Sequence, residues 1–297
     1  MKSQARLVVL GAGGRLGAAL VRELAQGYDV TGFNHAQLDL AQLANLRSTV
    51  EGLEFEILIN AAALTNVDYC EDHRAEAIRL NAEAPRLLAQ ICRTKGARFV
   101  HVSTDYVFDG EKRSPYSEED LAEPISIYGE SKRAGEVEVL EANPDALVIR
   151  VSWVFGPDRA GFVDAILKRA RTEQEVAAVT DKFSTPTYTH DIAALLRPVL
   201  RDRSIAGLLH LANRGGCSWQ EYAQWALDCG QRHGVPLTAR IVRPLSLGEM
   251  KNFVARRPVY TVLATEKYKR LTGTAPRDWH DAVEEYVRKH YRVASAN

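Results

Sequence analysis

The chain carries no surplus of either charge: 38 Lys and Arg balance 38 Asp and Glu over 297 residues. Nothing in that balance offers the electrostatic footprint of a nucleic-acid partner or of binding to an anionic membrane surface. Cysteine is scarce. Cys70, Cys92, Cys217 and Cys229 lie far apart and form no C-x-x-C. That argues against a disulfide framework or a zinc cluster and fits a reducing, cytoplasmic setting. No apolar run approaches the ~18–20 residues of a membrane span. Lys2 and Arg6 before Leu7, Val8, Val9 and Leu10 resemble a signal peptide only superficially, because the run is short and Arg15 interrupts the next stretch. Internal repeats and low-complexity stretches are also missing. What the chain does have is 46% hydrophobic residues, enough for a sizeable core.

Those residues alternate between strand-like and helix-like runs. Arg6 to Leu10 reads as a buried strand entering Gly11-Ala-Gly-Gly14-Arg15-Leu16-Gly17, and Ala18 to Gln26 reads as a helix. Glycines at 11, 14 and 17 permit a sharp turn, close approach to a pyrophosphate and tight helix–strand packing, with the helix N-terminus facing the phosphates. Leu16 stands where G-x-G-x-x-G has its last glycine. Tyr28 to Phe33 reads as a second strand. An acid at its end usually holds the adenosine ribose, but here Asn34 and His35 follow. Asp39 and Leu40 come a few residues later and are placed near the adenine. The missing acid favours NADPH, with NADH as the alternative.

Phe55 to Asn60 is a third strand, and Ala61, Ala62 and Ala63 let a flat cofactor lie against the backbone. A helical region from Arg74 to Lys95 breaks softly before Pro85. Arg98 to Val102 is a fourth strand, ending in Ser103-Thr104-Asp105-Tyr106, where polar residues face the ligand crevice of a parallel sheet. Glu111 to Pro124 reads as a polar lid, and Ala146 to Arg150 as a fifth strand. The class is α/β: a doubly wound, Rossmann-like parallel sheet with a smaller α+β substrate-binding lobe. The expected division is 1–152, joined by about 184–212, against 153–183 and 213–297. A topological switch point is expected near Trp153, with the cleft between the lobes.

Tyr128-Gly-Glu-Ser-Lys132 opens a run of helix formers reaching Leu140. Residues four apart share a helix face, so the phenol and the ammonium enter the same space. A nearby cation stabilises phenolate and makes the phenol a better proton donor toward a carbonyl oxygen. Thr104 can hydrogen-bond that same oxygen. A Tyr and a Lys also meet on ordinary helix faces, so the pair gains weight only from its company. His101 and His210 read as packed residues, and the eight histidines form no cluster with ligand spacing.

Together these motifs resemble the extended short-chain dehydrogenase/reductases, and within them the dTDP-4-dehydrorhamnose reductase family. The likeness rests on Gly11-x-x-Gly14-x-Leu16-Gly17, Asn60-Ala-Ala-Ala-Leu-Thr-Asn-Val67-Asp68, Ser103-Thr-Asp-Tyr-Val-Phe-Asp-Gly110, Tyr128-Gly-x-Ser-Lys132-x-x-Gly135-Glu136 and Arg150-Val-Ser-Trp153. It continues through Arg257-Pro258-x-x-Thr261-Val-Leu263. The resemblance implies Thr104, Tyr128 and Lys132 as the catalytic set. It places Val67, Asp105, Tyr106 and Trp153 on the nucleotide-sugar. The implied reaction is NAD(P)H-dependent reduction of the C4 keto group of a nucleotide-linked 6-deoxy-4-keto sugar, dTDP-4-dehydro-β-L-rhamnose to dTDP-L-rhamnose. Lys132 would bind the nicotinamide ribose and lower the Tyr128 pKa.

Two departures stand out. A family segment D-Q-x-G-x-P-T reads Asp181-Lys182-Phe183-Ser184-Thr185-Pro186-Thr187 here, which leaves the sugar open. Arg15 occupies a position where some relatives carry an acid or amide, and some relatives use glutamates for an interface metal; no metal is expected. A homodimer is the candidate assembly. Dehydration or epimerisation of a nucleotide sugar is the competing chemistry. Dehydratases place Asp-Glu after the Thr, whereas Asp105-Tyr106 lacks the second carboxylate. A non-catalytic dinucleotide-binding subunit is the third reading, since fold does not fix function.

Overall fold

The computed structural model describes residues 4–291, so Lys2 of the N-terminal reading lies outside the described residues. Strand β1 (Arg6–Leu10) leads through the glycine turn to helix α1 (Arg15–Leu24), then β2 (Asp29–Phe33), α2 (Leu43–Gly52) and β3 (Ile57–Asn60). Helices α3 (Val67–Asp72), α4 (Arg74–Ile78) and α5 (Ala84–Lys95) come next, with a π-helical turn at Arg79–Glu83 between the last two. They lead into β4 (Arg98–Thr104), α6 (Ile127–Ala142) and β5 (Leu147–Val151). The remainder comprises β6 (Val154–Phe155), α7 (Phe162–Ala170), β7 (Val176–Val179), β8 (Phe183–Ser184), β9 (Thr187–Tyr188), α8 (Thr189–Arg201) and β10 (Gly207–His210). The chain continues through β11 (Cys217–Ser218), α9 (Trp219–Arg232), β12 (Val242–Leu245), α10 (Glu266–Thr272) and α11 (Trp279–Tyr291).

Six strands form one parallel sheet in the order β10-β5-β4-β3-β1-β2. The inner strands are apolar without alternation because helices cover both faces, as a parallel sheet requires. Leu7, Val9, Ile57 and Ile149 look toward α1 and α8, whereas Val8, Leu58, Phe99 and Val148 look toward α2, α5 and α6. The chain leaves β1 for β2 and then crosses back to β3 on β1's other side. The switch point therefore lies between β1 and β3, at Gly11 and Ala61. This corrects the expectation of one near Trp153: the ribbon past β5 adds β10 at the same edge and does not reverse the order.

Beyond β5, a second core gathers Phe155, Val163, Tyr188, Tyr222, Leu227, Trp279 and Tyr286 from β6, α7, β9, α9 and α11. Segment 189–210 packs with the main sheet through Ile192, Leu196 and Leu209, and Tyr268 of α10 joins that same core. The 111–124 loop is not a free flap. Tyr116 exchanges backbone hydrogen bonds with Val262 and Ala264 at 2.8 and 2.7 Å, and Glu118 accepts from the His210 N–H at 2.8 Å.

Candidate active site

The glycine turn fits a dinucleotide. Gly11 has φ +81°, and a Cβ there would meet Ala62 N at 2.7 Å. A Cβ on Gly17 would lie 2.1 Å from the Gly11 carbonyl, so the turn closes only with glycine at both positions. Gly14 caps α1 in extended conformation without a side-chain cap, and the first turn carries no acid. The unpaired N–H groups and the positive dipole end are thus left for an anion. Leu16 is buried beneath the turn. Ala61, Ala62 and Ala63 continue from β3 beside it. At the end of β2, Asn34 and Gln37 bond reciprocally at 3.0 and 3.1 Å. Asp39 accepts from the Ala41 N–H at 2.9 Å, and Leu40 is buried in the core.

Arg15 sits at the start of α1, but its guanidinium reaches the other lobe. It donates to the carbonyls of Arg159, Val154 and Ala160 at 3.1, 3.0 and 2.7 Å. It clamps the turn to the 154–160 segment. Among the described residues no group of three or more His, Cys, Asp or Glu could hold a metal.

Helix α6 begins at the Ser126 cap, whose hydroxyl accepts from the Gly129 N–H at 3.2 Å. Tyr128, Lys132 and Glu136 lie at successive i, i+4 positions, and all are buried. Glu136 anchors the helix to the sheet. It accepts from Arg150 at 2.8 and 2.7 Å, from Ser103 at 2.6 Å and from Arg133 at 3.2 Å. Two glycines let α6 approach closely. A Cβ on Gly129 would sit 2.3 Å from the Tyr106 carbonyl, and one on Gly135 would sit 2.0 Å from the Asn81 carbonyl in the π-helical turn. Such π-bulges frequently mark functional sites. Asn81 also donates to Ser131 at 2.9 Å, fixing the helix one residue before Lys132.

Tyr128 packs edge-on against Tyr106 with centroids 5.7 Å apart, in a cluster with Val67, Leu64, Cys70 and Ile127. Burial pushes the phenol well above its ordinary pKa, and the nearby Thr104 hydroxyl acts in the opposite direction. Lys132 does not lower it. The Lys132 Nζ donates to the Val102 carbonyl at 2.7 Å and faces His101 Nε2 at 3.4 Å, and burial lowers its own pKa to about 8. The Lys132 ammonium is turned toward β4.

Asp105 departs most from expectation. It is buried, and its carboxylate accepts from Thr104 at 3.1 Å, Ser152 at 2.8 Å and Thr261 at 2.6 Å. Through these hydroxyls Asp105 ties the ends of β4 and β5 to the 261 segment. Ser184 extends this chain through Thr261 at 2.9 Å. Lys182 is buried with its ammonium 5.0 Å over the Tyr106 ring and donating to the Pro258 carbonyl at 2.5 Å. Trp153 holds φ +39°, the one non-glycine positive φ among the described residues, and packs on Phe162, Trp219 and Tyr222. Such strain persists where surrounding packing over-determines it.

Sequence reasoning read His101 only as a packed residue and gave Asn60, Ser152, Thr261, Glu136 and Arg150 no individual role. The available signal was polar residues inside otherwise apolar strands: His101 and Arg150 interrupt β4 and β5, and buried polar groups need partners.

A parallel sheet with a glycine turn at its switch point, and Thr104 at the end of β4 beside the α6 face that carries Tyr128 and Lys132, defines a Rossmann-fold, NAD(P)-dependent oxidoreductase. Residues 5–292 match the family model described as the RmlD substrate binding domain. The chain is 39% identical over 287 residues to a probable dTDP-4,6-dihydroxy-2-methyloxan-3-one 4-ketoreductase of Streptomyces antibioticus, covering 94% of both chains. It is 35% identical over 296 residues to the dTDP-4-dehydrorhamnose reductase of Burkholderia thailandensis, covering 95% of this chain and 98% of that one. A crystal structure of dTDP-4-dehydrorhamnose reductase from Bacillus anthracis in complex with NADP superposes with TM-score 0.89 at 30% identity, covering 96% and 99%. The chain belongs to the dTDP-4-dehydrorhamnose reductase family. No helix among the described residues is long and apolar enough to cross a membrane.

Proposed function

We propose that the protein reduces the C4 keto group of a dTDP-linked 6-deoxy-4-keto sugar at the expense of NADPH, most simply dTDP-4-dehydro-β-L-rhamnose to dTDP-L-rhamnose. The reading is supported above all by one cluster: a buried phenol, Tyr128, under the influence of the Thr104 hydroxyl and on the same helix face as Lys132. When bound, the dihydronicotinamide supplies a hydride to the keto carbon. Gly11, Gly14 and Gly17 shape the turn that receives the pyrophosphate, and the lack of an acid after β2 suits a 2′-phosphate. Thr104 turns its hydroxyl proton from Asp105 to the keto oxygen. Tyr128 donates its proton to that oxygen as negative charge develops. Its raised pKa keeps the phenol protonated at rest. Tyr106 and Trp153 offer ring faces to the sugar, and Val67 lines the Tyr128 cluster.

The 39% identical Streptomyces relative supports the same chemistry on a differently substituted dTDP-keto sugar as a second reading. The test follows NADPH absorbance with dTDP-4-keto-6-deoxyhexose generated in situ, with mass spectrometry of the product. NADPH consumption with a product two mass units heavier than the ketone is expected. Cofactor binding without turnover on either sugar would overturn the proposal.

A further inference from the structure

Asn60 is buried at the end of β3, and the backbone fixes its amide: Oδ1 accepts from the Ala62 N–H at 3.1 Å. Its Nδ2 is therefore the atom that meets His101 Nδ1, at 3.2 Å. An amide nitrogen only donates, so Nδ1 must accept, and the proton of the neutral ring sits on Nε2. That Nε2–H faces Lys132 Nζ at 3.4 Å, and Nζ donates onward to the Val102 carbonyl at 2.7 Å. The chain begins at a backbone N–H that can only donate and ends at a carbonyl that can only accept. All links point one way only when Lys132 is a neutral amine, accepting from His101 and donating to Val102. An ammonium has no lone pair and sets two donors against each other at a buried site.

We propose that Asn60 and His101 are positioning residues that stabilise the amine form of Lys132 and so poise it to return a proton to Tyr128. This rests on Tyr128 being the proton donor of the reaction. Once Tyr128 has protonated the product oxygen, the Lys132 ammonium gives a proton to the phenolate through an intervening hydroxyl or water. One N–H bond breaks, one O–H bond forms, an amine remains, and a proton from water restores the ammonium. The polarised chain lowers the cost of the amine state.

The other groups around Lys132 do not supply this bias. Tyr128 and Glu136 share its helix. Glu136 is the one carboxylate that favours the ammonium, and it is already bonded to Ser103, Arg133 and Arg150. On β4, burial and Lys132 itself hold His101 far below its ordinary pKa, so the ring stays neutral. Asp105, just past β4, is bonded to three hydroxyls.

Two measurements test the proposal, and the first needs neither a variant nor turnover. Nitrogen-15 NMR of the histidine rings is expected to show His101 as the Nε2–H tautomer; an Nδ1–H ring would overturn the proposal. The second tracks Lys132 by carbon-13 labelling of lysine Cε, with Lys132→Met to assign the signal. In Asn60→Asp, a carboxylate accepts from both Ala62 and His101, draws the ring proton to Nδ1 and turns Nε2 into an acceptor. Lys132 should then titrate about one pH unit or more higher, and the alkaline limb of kcat should move with it. His101→Leu should shift the titration in the same direction by less. An Asn60→Asp protein whose Lys132 titrates as in the unsubstituted protein would refute the polarity of the chain. A protein with the Nε2–H tautomer and a low-titrating Lys132 but no reductase activity would overturn the proposed function and the proton return to Tyr128, while leaving the polarity of the Asn60–His101–Lys132 chain standing.

Discussion

Replacing Arg150 by Met tests what holds α6, and with it Tyr128 and Lys132, against the sheet. The Arg150 and Glu136 side chains are 1% and 0% exposed and meet through two hydrogen bonds of 2.8 and 2.7 Å. Methionine keeps most of the volume but strands the carboxylate with Ser103 at 2.6 Å and Arg133 at 3.2 Å, the latter 35% exposed. Breaking one side of a buried pair costs about 3–5 kcal/mol. At roughly 2–4 °C per kcal/mol for a chain of this size, Tm should fall by about 6–20 °C. The double variant Glu136→Gln/Arg150→Met removes the uncompensated charge and should recover part of that loss, because isolated buried charges cost more than absent ones. Scanning calorimetry of the two singles and the double gives the cycle. A Tm change under about 2 °C for Arg150→Met, or a double variant worse than the sum of the singles, would refute the anchoring role.

Lys182→Met should raise Tm at pH 7. Burial lowers the Lys182 pKa to about 8 from 10.5, so the folded state binds fewer protons than the unfolded one between those values. The protein should gain stability as pH rises through that window, and Lys182→Met should lose its share of the gain, a Tm-versus-pH series being the check. Gly17→Ala places a methyl 2.1 Å from the Gly11 carbonyl and should abolish NADPH binding by fluorescence titration. All four thiols are buried, with Cys70 and Cys229 raised to about 11 and Cys92 to about 12. They should stay silent toward a thiol reagent until the chain is unfolded, and fast labelling of the native protein would contradict the packing.

The local signals were legible. Apolar runs marked β1 to β5, glycine spacing marked the cofactor turn, and the four-residue step from Tyr128 to Lys132 survives unchanged on α6. Helix α2 was missed because Gln42 offers no side-chain cap and the first turn has no acid. The π-helical turn at Arg79–Glu83 depends on Asn81 meeting Leu64 and Ser131, partners 17 and 50 residues away. The motifs also gave no sign of the intramolecular partners of Arg15 and Asp105, which include Val154 and Thr261, 139 and 156 residues further on. Motif spacing identifies which residue types share a site, but the direction of each hydrogen bond is settled by contacts distant in the chain.

Proton donation by the Tyr128 hydroxyl is the step on which the proposed reaction depends. Single-turnover oxidation of NADPH by dTDP-4-keto-6-deoxyhexose should slow by ~10²–10⁴-fold in Tyr128→Phe, the range for losing a general acid. NADPH should bind both proteins equally. Equal single-turnover rates in the two proteins would contradict a proton-donating role for Tyr128.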